Sequence, residues 1–217
     1  MRILLVIIGS ILIVSGTASA QDWAEYVDEE EHFAINFPGI PEIRDFGYES
    51  EYGITLPAKA YTLKNDEASY SLTVVNYNAG QKIYQELPDR TDEGNNSALW
   101  LYDQRASMSY AAHNIRKRGG DITFDAWNHI DMVEGHELQI TNTDKSRTYA
   151  GMYLHQGRLY IIEAIVPAGG LPQGLFQQSL SFLDDDLRRI RYQLTVDGSK
   201  KRVPRPEGEP NQPTPGY

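Results

Sequence analysis

The feature that most constrains this chain is a stretch of alternating polar and apolar residues over positions 121–167. Residues 147–166 read RTYAGMYLHQGRLYIIEAIV, in which two β-rich runs flank Gln156-Gly157. A two-residue connection with glycine second is typical of a tight hairpin, whose turn needs positive φ. The middle of the chain therefore predicts antiparallel sheet. The expected cross-strand pairs are Tyr153 with Tyr160, His155 with Arg158, Leu154 with Leu159, and Met152 with Ile161.

The preceding run, DITFDAWNHIDMVEGHELQIT, predicts a second hairpin. A three-residue loop at 133–135 would place Ile130 and Met132 on one face with Leu138 and Ile140, and Gly135 would supply its left-handed position. In that register Asp131 lies opposite Glu137, a like-charge pair that is unfavourable unless something neutralises it. The opposite face would then hold five mostly polar side chains: Trp127, His129, Asp131, Glu137 and Gln139.

This polar face suggests a metal or polar-ligand site. His129, Asp131 and Glu137 could converge on a divalent cation, which would relieve the carboxylate repulsion. The alternative is an ordinary solvated or helix-covered surface. A second candidate is an aromatic ligand patch. The alternative is that its residues are ordinary core and rim residues. The patch consists of Trp127, Tyr149, Tyr153 and Tyr160.

Residues 1–20 have the pattern of a secretory signal peptide. Arg2 supplies the positive start, residues 3–14 the apolar segment, and Ala18-Ser19-Ala20 the small-residue cleavage site. The sequence thus predicts cleavage after Ala20 and a periplasmic or secreted product. An uncleaved anchor is the alternative, although the apolar run is shorter than the ~20 residues that span a bilayer.

Composition narrows the classes of partner. The formal net charge is −10, and loss of Arg2 with the leader makes it −11. Nucleic-acid binding needs clustered Lys and Arg to neutralise phosphates, so nucleic acid is not an expected partner. The chain has no cysteine, which leaves no basis for a thiolate metal site or a redox motif. No second apolar span follows the leader, so no stable membrane span is expected once it is removed.

Further elements follow from the same patterns. Strands are predicted at 32–37, 54–63, 70–77 and 190–196. One helix should run from position 96 or 97 to about 117, and a second should begin at Pro172. The packing face expected for that second helix comprises Leu175, Phe176, Ser179, Leu180 and Leu183. We therefore predict a single domain over 21–197 and a disordered, proline-rich tail over 198–217.

These elements predict an α+β fold, a mostly antiparallel sheet of about six to eight strands covered by two helices as an α/β/α sandwich. The motifs FAINFPGIP, YTLKNDEASYSLTVVNY and GRLYIIEAIVP, followed by PQGLFQQSLSFLDDD, give a layout that resembles the PsbP-like sandwich. The resemblance covers roughly residues 23–195 and extends in particular to exported proteobacterial proteins of unassigned function. It implies this fold, export, and a non-enzymatic binding or assembly role.

The function expected from the sequence is therefore an exported, non-enzymatic module that binds an unknown protein or small ligand. The resemblance supplies neither a catalytic residue nor a cofactor. The alternative is a metal-dependent or Ser/His-type hydrolase acting in the periplasm. His136-Glu137 resembles the start of a zinc-protease helix motif, but Ile140 stands where the second histidine would be. No Gly-x-Ser-x-Gly elbow is present in the sequence.

Overall fold

A computed structural model describes residues 23–86, 88 and 104–203. Its largest unit is a seven-stranded antiparallel sheet of order β3-β4-β5-β9-β8-β7-β6. The predicted α+β fold with a mostly antiparallel sheet is confirmed. The strands of this sheet are β3 (Glu42–Glu49), β4 (Thr55–Lys64), β5 (Ser69–Asn76), β6 (Asp121–Ile130), β7 (Val133–Thr141), β8 (Arg147–His155) and β9 (Arg158–Val166).

Smaller elements complete the described chain. A three-stranded sheet of order β1-β2-β10 and a two-stranded hairpin β11-β12 stand apart from the main sheet. These strands are β1 (Ala24–Asp28), β2 (Phe33–Phe37), β10 (Ser181–Phe182), β11 (Tyr192–Leu194) and β12 (Lys200–Arg202). The helices are α1 (Gly80–Gln85), preceded by a 3-10 turn (Tyr77–Ala79), α2 (Gln104–Arg116) and α3 (Gly174–Gln177).

The main sheet is covered on both faces. On its helix face, Met108, Ala111 and Ala112 of α2 pack into a core with Leu138 and Ile140. On its other face, which we call the hairpin face, the β1-β2 hairpin brings in an apolar core that includes Phe33, Ile35 and Phe37. The cover is thus helical on one side and mainly extended on the other, where a second long helix was expected.

The Gln156-Gly157 hairpin is confirmed residue for residue. Tyr153 lies opposite Tyr160 and His155 lies opposite Arg158. Both turn residues have positive φ, 47° and 72°, which is the type I′ geometry that follows the twist of the strands.

The predicted register of the β6-β7 hairpin is wrong. Its turn is Asp131-Met132, with φ of 50° and 64°, and Ile130 pairs with Val133. Glu137 therefore lies opposite Ala126. The prediction assumed that apolar residues mark a single buried face. Because β7 is covered on both sides, Val133 packs in the hairpin-face core and Leu138 in the helix-face core, so alternation alone does not fix the register.

The helix predicted from Pro172 is also wrong in extent. Only Gly174–Gln177 is helical, and Leu175 on the predicted packing face is 89% exposed. The chain then extends, and Ser181–Phe182 pairs with β2. Tertiary strand pairing outweighs helical propensity in this segment.

Two further strands, β3 and β12, were not predicted from the sequence. Most of β3 is exposed, so it carries little apolar period, and the sequence did not predict it. β12 lies inside the stretch predicted to be disordered, while residues 204–217 lie outside the described residues. The leader and the start of the predicted 96–117 helix also lie outside them. Within the described ranges, no helix is both long and apolar enough to cross a bilayer.

Candidate functional site

A groove of about 530 Å³ opens where β3, β4, β5 and β9 run beyond the end of α2. We call it the sheet-end groove. Its lining combines hydroxyl, carboxylate and apolar side chains with one ammonium group. It comprises Ile40, Glu42, Thr62, Leu63, Lys64, Ser69, Tyr70, Ser71, Glu163 and Ile165.

Strand register brings the polar members of the groove together. Ser71 of β5 lies between Thr62 of β4 and Glu163 of β9. Glu163 is also opposite Ala150, a member of the helix-face core. Directly opposed residues share a face, so all four residues belong to the helix face. The groove floor is therefore a continuation of the surface that α2 covers further along the sheet.

Glu163 is the most enclosed charged group of the groove. Its side chain is 13% exposed, and Arg118 Nη1 donates a 2.6 Å hydrogen bond to its Oε2. Arg118 follows α2 in the chain and its own side chain is 54% exposed. One side of the Glu163 carboxylate is thereby fixed by a charge-assisted bond. The result is an oriented acceptor beside the hydroxyls of Thr62 and Ser71, an arrangement suited to hydrogen-bonding recognition.

A second polar cluster joins α2 to the edge strand β6. Arg116 makes a bidentate pair with Asp125, with nitrogen–oxygen distances of 2.9 Å and 2.7 Å. His136 Nε2 lies 2.5 Å from Asp125 Oδ1, and its ring packs edge-on to Trp127 at 4.8 Å. The Arg116 hydrogen bond is the largest influence on Asp125 and holds the pKa of that carboxyl below its usual range.

This second cluster has the geometry of a clamp between helix and sheet. The Arg105 guanidinium lies 5.1 Å from the centroid of the Trp127 ring and binds Glu134 at 2.6 Å. His136 is 7% exposed, and its Nδ1 has no hydrogen-bond partner among the described residues. The charged groups neutralise one another in pairs, so the cluster fastens α2 to β6 and β7.

The predicted metal ligands are not brought together. His129 lies on β6 opposite Glu134, Asp131 sits in the turn, and Glu137 is buried on β7 opposite Ala126. Asp131 is near Arg191, at 3.6 Å. Only the predicted β6-β7 register, which the structure does not adopt, placed these three side chains on one face. No group of three potential ligands of the His, Asp or Glu type occurs within the part of the chain that the structure describes.

The predicted aromatic patch is divided between the two faces. Tyr149, Tyr153 and Tyr160 are at most 5% exposed and belong to the hairpin-face core. Trp127 is 43% exposed and pairs with His136 near the helix face. The three tyrosines are therefore core residues and do not form an exposed surface on which a ligand could bind.

Sequence reasoning missed the sheet-end groove. One signal was present, because Glu163 interrupts the otherwise apolar residues 159–166, LYIIEAIV, in a central strand. A carboxylate inside such a run needs a partner or a reason to face solvent. Its partner Arg118 is 45 residues away in the chain, and no local pattern connects the two.

Comparison with known proteins gives a match to solved structures but none to protein families or curated sequences. No protein-family profile matches this chain, and comparison with curated proteins gives no match. Among solved structures, the chain is similar to the solution structure of cyanobacterial PsbP (CyanoP) from Synechocystis sp. PCC 6803. The identity is 11%, the TM-score is 0.37, and the match covers 71% of this chain and 85% of that one. Nothing about the ligands or partners of this chain follows from this match.

Proposed function

We propose that this protein is an exported, non-enzymatic binding module whose ligand occupies the sheet-end groove. The observation that carries the proposal is the enclosed Glu163 carboxylate, oriented by Arg118 beside the open groove lined by Thr62, Ser69 and Ser71. Concave sites with a few oriented polar groups among apolar walls are the usual form of small-ligand sites.

The lining indicates the chemistry of the ligand. The lining holds two carboxylates, Glu42 and Glu163, and one ammonium, Lys64, and the Glu163 carboxylate is already paired with Arg118. Hydroxyl groups both donate and accept, while ionised carboxylates only accept. A small molecule that carries an amine or several hydroxyls, with an apolar part against Ile40 and Ile165, satisfies this set of groups.

Export is the second component of the proposal and rests on the leader pattern alone. Intact-mass measurement of the protein recovered from the periplasm or medium tests it. We expect a chain that begins at Gln21. A chain that stays in the cytoplasm would contradict export, and an exported chain that retains residues 1–20 would contradict cleavage after Ala20. Either result would leave the binding component standing.

NMR titration of the folded chain tests the binding component. The probes are a panel of small amines, polyols and short peptides, and the readout is the shift of backbone amide signals. We expect shifts at Ser71 and Glu163 with at least one amine or polyol, and loss of these shifts in Ser71→Val. Thr123→Val, which also removes one threonine or serine hydroxyl but lies outside the groove, is the matched control.

Two results would count against the groove. One is an absence of shifts at groove residues for every probe. The other is a shift pattern around His129 that disappears in His129→Ala, because it would favour the hydrolase-type alternative.

A further inference from the structure

The strand β6 forms an open edge of the main sheet. It pairs with β7 on one side, and among the described residues no strand pairs with its other side. Three of its side chains are large, apolar and exposed, Ile122 by 50%, Phe124 by 42% and Trp127 by 43%. An open edge offers unpaired backbone groups to another strand. Of the ten residues of β6, only Asp121 and Asp125 carry a formal charge.

The opposite edge of the same sheet is better protected. Its strand β3 has eight residues, of which four are charged: Glu42, Arg44, Asp45 and Glu49. Charged side chains on an edge strand are a common device against pairing with a second chain. The two edges therefore differ, and β6 is the edge that is open to another strand.

The turn that follows β6 determines which of its backbone groups point outward. The two-residue turn at 131–132 closes the β6-β7 hairpin on a hydrogen-bonded pair, and bonded and non-bonded positions alternate from there. The amide and carbonyl groups of Asp125, Trp127 and His129 therefore point away from β7. The His129 amide fits this pattern, because it donates a 2.8 Å hydrogen bond to Asn128 Oδ1.

A second copy of β6 is complementary to this edge in one antiparallel register. Residues that lie opposite each other in a sheet project on the same face, which restricts the registers that a strand can form with its own copy. With Trp127 opposite Trp127 of the second copy, Phe124 faces Ile130 and Asp125 faces His129. Aromatic and apolar side chains then meet one another, and no two like charges are opposed.

The other registers are less complementary. With Asp125 opposite itself, two carboxylates face each other. With Ala126 opposite itself, Trp127 faces Asp125 and Phe124 faces Asn128, so that each aromatic ring lies beside a polar group. With Asn128 opposite itself, Phe124 extends past the end of the second strand and has no partner there.

We propose that this protein forms a two-fold symmetric dimer in which the β6 strands of two copies pair antiparallel about Trp127. The main sheet then continues from one copy into the other. The two-fold axis is perpendicular to the sheet, so both sheet-end grooves open on the same face, each on the side of its copy away from the joined strands. The interface is isologous and closed at β6. The proposal is independent of export and of any ligand in the groove.

Sedimentation equilibrium of the purified, folded chain tests the dimer. Pairing over 124–130 makes a small interface, so the measurement extends to about 1 mM protein. The test variant is Trp127→Lys, which would place two ammonium groups opposite each other. The matched control is Ile43→Lys, the same replacement at a 52% exposed apolar residue of β3. Far-UV circular dichroism checks that both variants are folded.

We expect the unmodified chain and Ile43→Lys to dimerise alike, and the Kd of the dimer to rise at least about tenfold in Trp127→Lys. A chain that stays monomeric up to about 1 mM would overturn the proposal, as would an equal effect of the two lysines. An extended segment of another protein as the natural occupant of this edge corresponds to the first of these results.

Disulfide cross-linking tests the register without changing Trp127. The chain has no cysteine, so Ala126→Cys and Asn128→Cys can link only through the introduced thiols. In the proposed dimer these two positions lie directly opposite each other, with Cα atoms about 4.5 Å apart, which a disulfide can bridge. Two copies of the same position would be about 8 Å apart, which is too far.

The two variants are mixed in equal amounts, oxidised mildly and digested, and the linked peptides are counted by mass spectrometry. We expect links between positions 126 and 128 to dominate over links between identical positions. Links in the proportions of random collision would overturn the proposed pairing. An excess of links between two copies of position 126 would overturn it too, because that result requires the register centred on Ala126.

Discussion

The phenolic hydroxyl of Tyr153 donates a 3.1 Å hydrogen bond to Glu137 Oε1 within the buried hairpin face of the main sheet. The ring of Tyr153 lies over one glycine of the neighbouring strand, Gly135 of β7, and over one glycine of its own strand, Gly151 of β8. A Cβ at Gly135 would lie 2.1 Å from this ring, and one at Gly151 would lie 3.0 Å from it. Gly135 is therefore required by a close approach rather than by a turn. Burial, followed by the charge of Glu137, raises the pKa of Tyr153.

Removal of that hydroxyl should destabilise the protein. In Tyr153→Phe the buried Glu137, which is 3% exposed, loses its donor, and we expect the free energy of unfolding to fall by about 1–3 kcal/mol. Urea denaturation measures the loss. In a Glu137→Met background the same substitution should cost less, because the partner is already absent. Equal costs in both backgrounds would mean that the bond contributes nothing.

Gly157→Val should damage the 156–157 hairpin. Gly157 has a φ of +72°, and an added Cβ would lie 2.1 Å from Asn78 Oδ1. The Gly157 carbonyl also accepts a 2.8 Å hydrogen bond from the Tyr77 amide, so movement of the turn breaks a second contact. Backbone strain and steric overlap both oppose the valine.

Gly53→Val separates these two effects. Gly53 has nearly the same φ, +70°, but an added Cβ would meet nothing within 4 Å. We expect Gly53→Val to cost about 1–2 kcal/mol from the backbone alone and Gly157→Val to cost clearly more in the same thermal denaturation assay. Similar losses for the two variants would contradict the turn contact with Asn78.

His155 should make stability depend on pH. Its ring packs 4.7 Å from Phe182, and its Nε2 lies 3.0 Å from the Tyr192 hydroxyl. Burial, and then the charges of Lys200, Arg158 and Arg202, lower the pKa of His155 to about 4. The unfolded chain binds a proton near pH 6.5, where the folded chain does not. The free energy of unfolding therefore falls as pH drops from about 6.5 towards 4, by at most about 3 kcal/mol.

The variant His155→Phe isolates this contribution, since carboxylates also titrate at the lower end of the range. We expect the unfolding free energy of the unmodified chain to fall steadily, relative to that of His155→Phe at the same pH, as the pH is lowered from 6.5 to 5. A difference that is constant over this interval would show that His155 is not held neutral by its surroundings.

The two central hairpins show which parts of the fold the sequence could predict. Gln156-Gly157 combines a glycine in the turn with matched side chains on both strands, so its register is specified locally. Asp131-Met132 has positive φ at two non-glycine residues, while a glycine three positions later offered a more favourable local alternative. Only the cover on both faces of β7 decides between them, and that cover comes from segments distant in the chain.

Separation along the chain also explains why the sequence did not predict the sheet-end groove. Glu163 and Arg118 meet through the β9 register and the end of α2, and Ser71 reaches them from β5. Residues 129, 131 and 137, in contrast, are close in sequence and could be grouped by one hairpin register, which the structure does not adopt. Sites assembled from distant strands need the topology of the sheet before they can be recognised.

Native mass spectrometry of the protein recovered from its own compartment tests the groove most directly. We expect a bound small molecule on the unmodified chain, its loss in Ser71→Leu, which fills the groove beside Glu163, and its retention in Ser109→Leu, an exposed position on α2. A molecule that remains bound to folded Ser71→Leu would contradict the assignment of the sheet-end groove as the binding site.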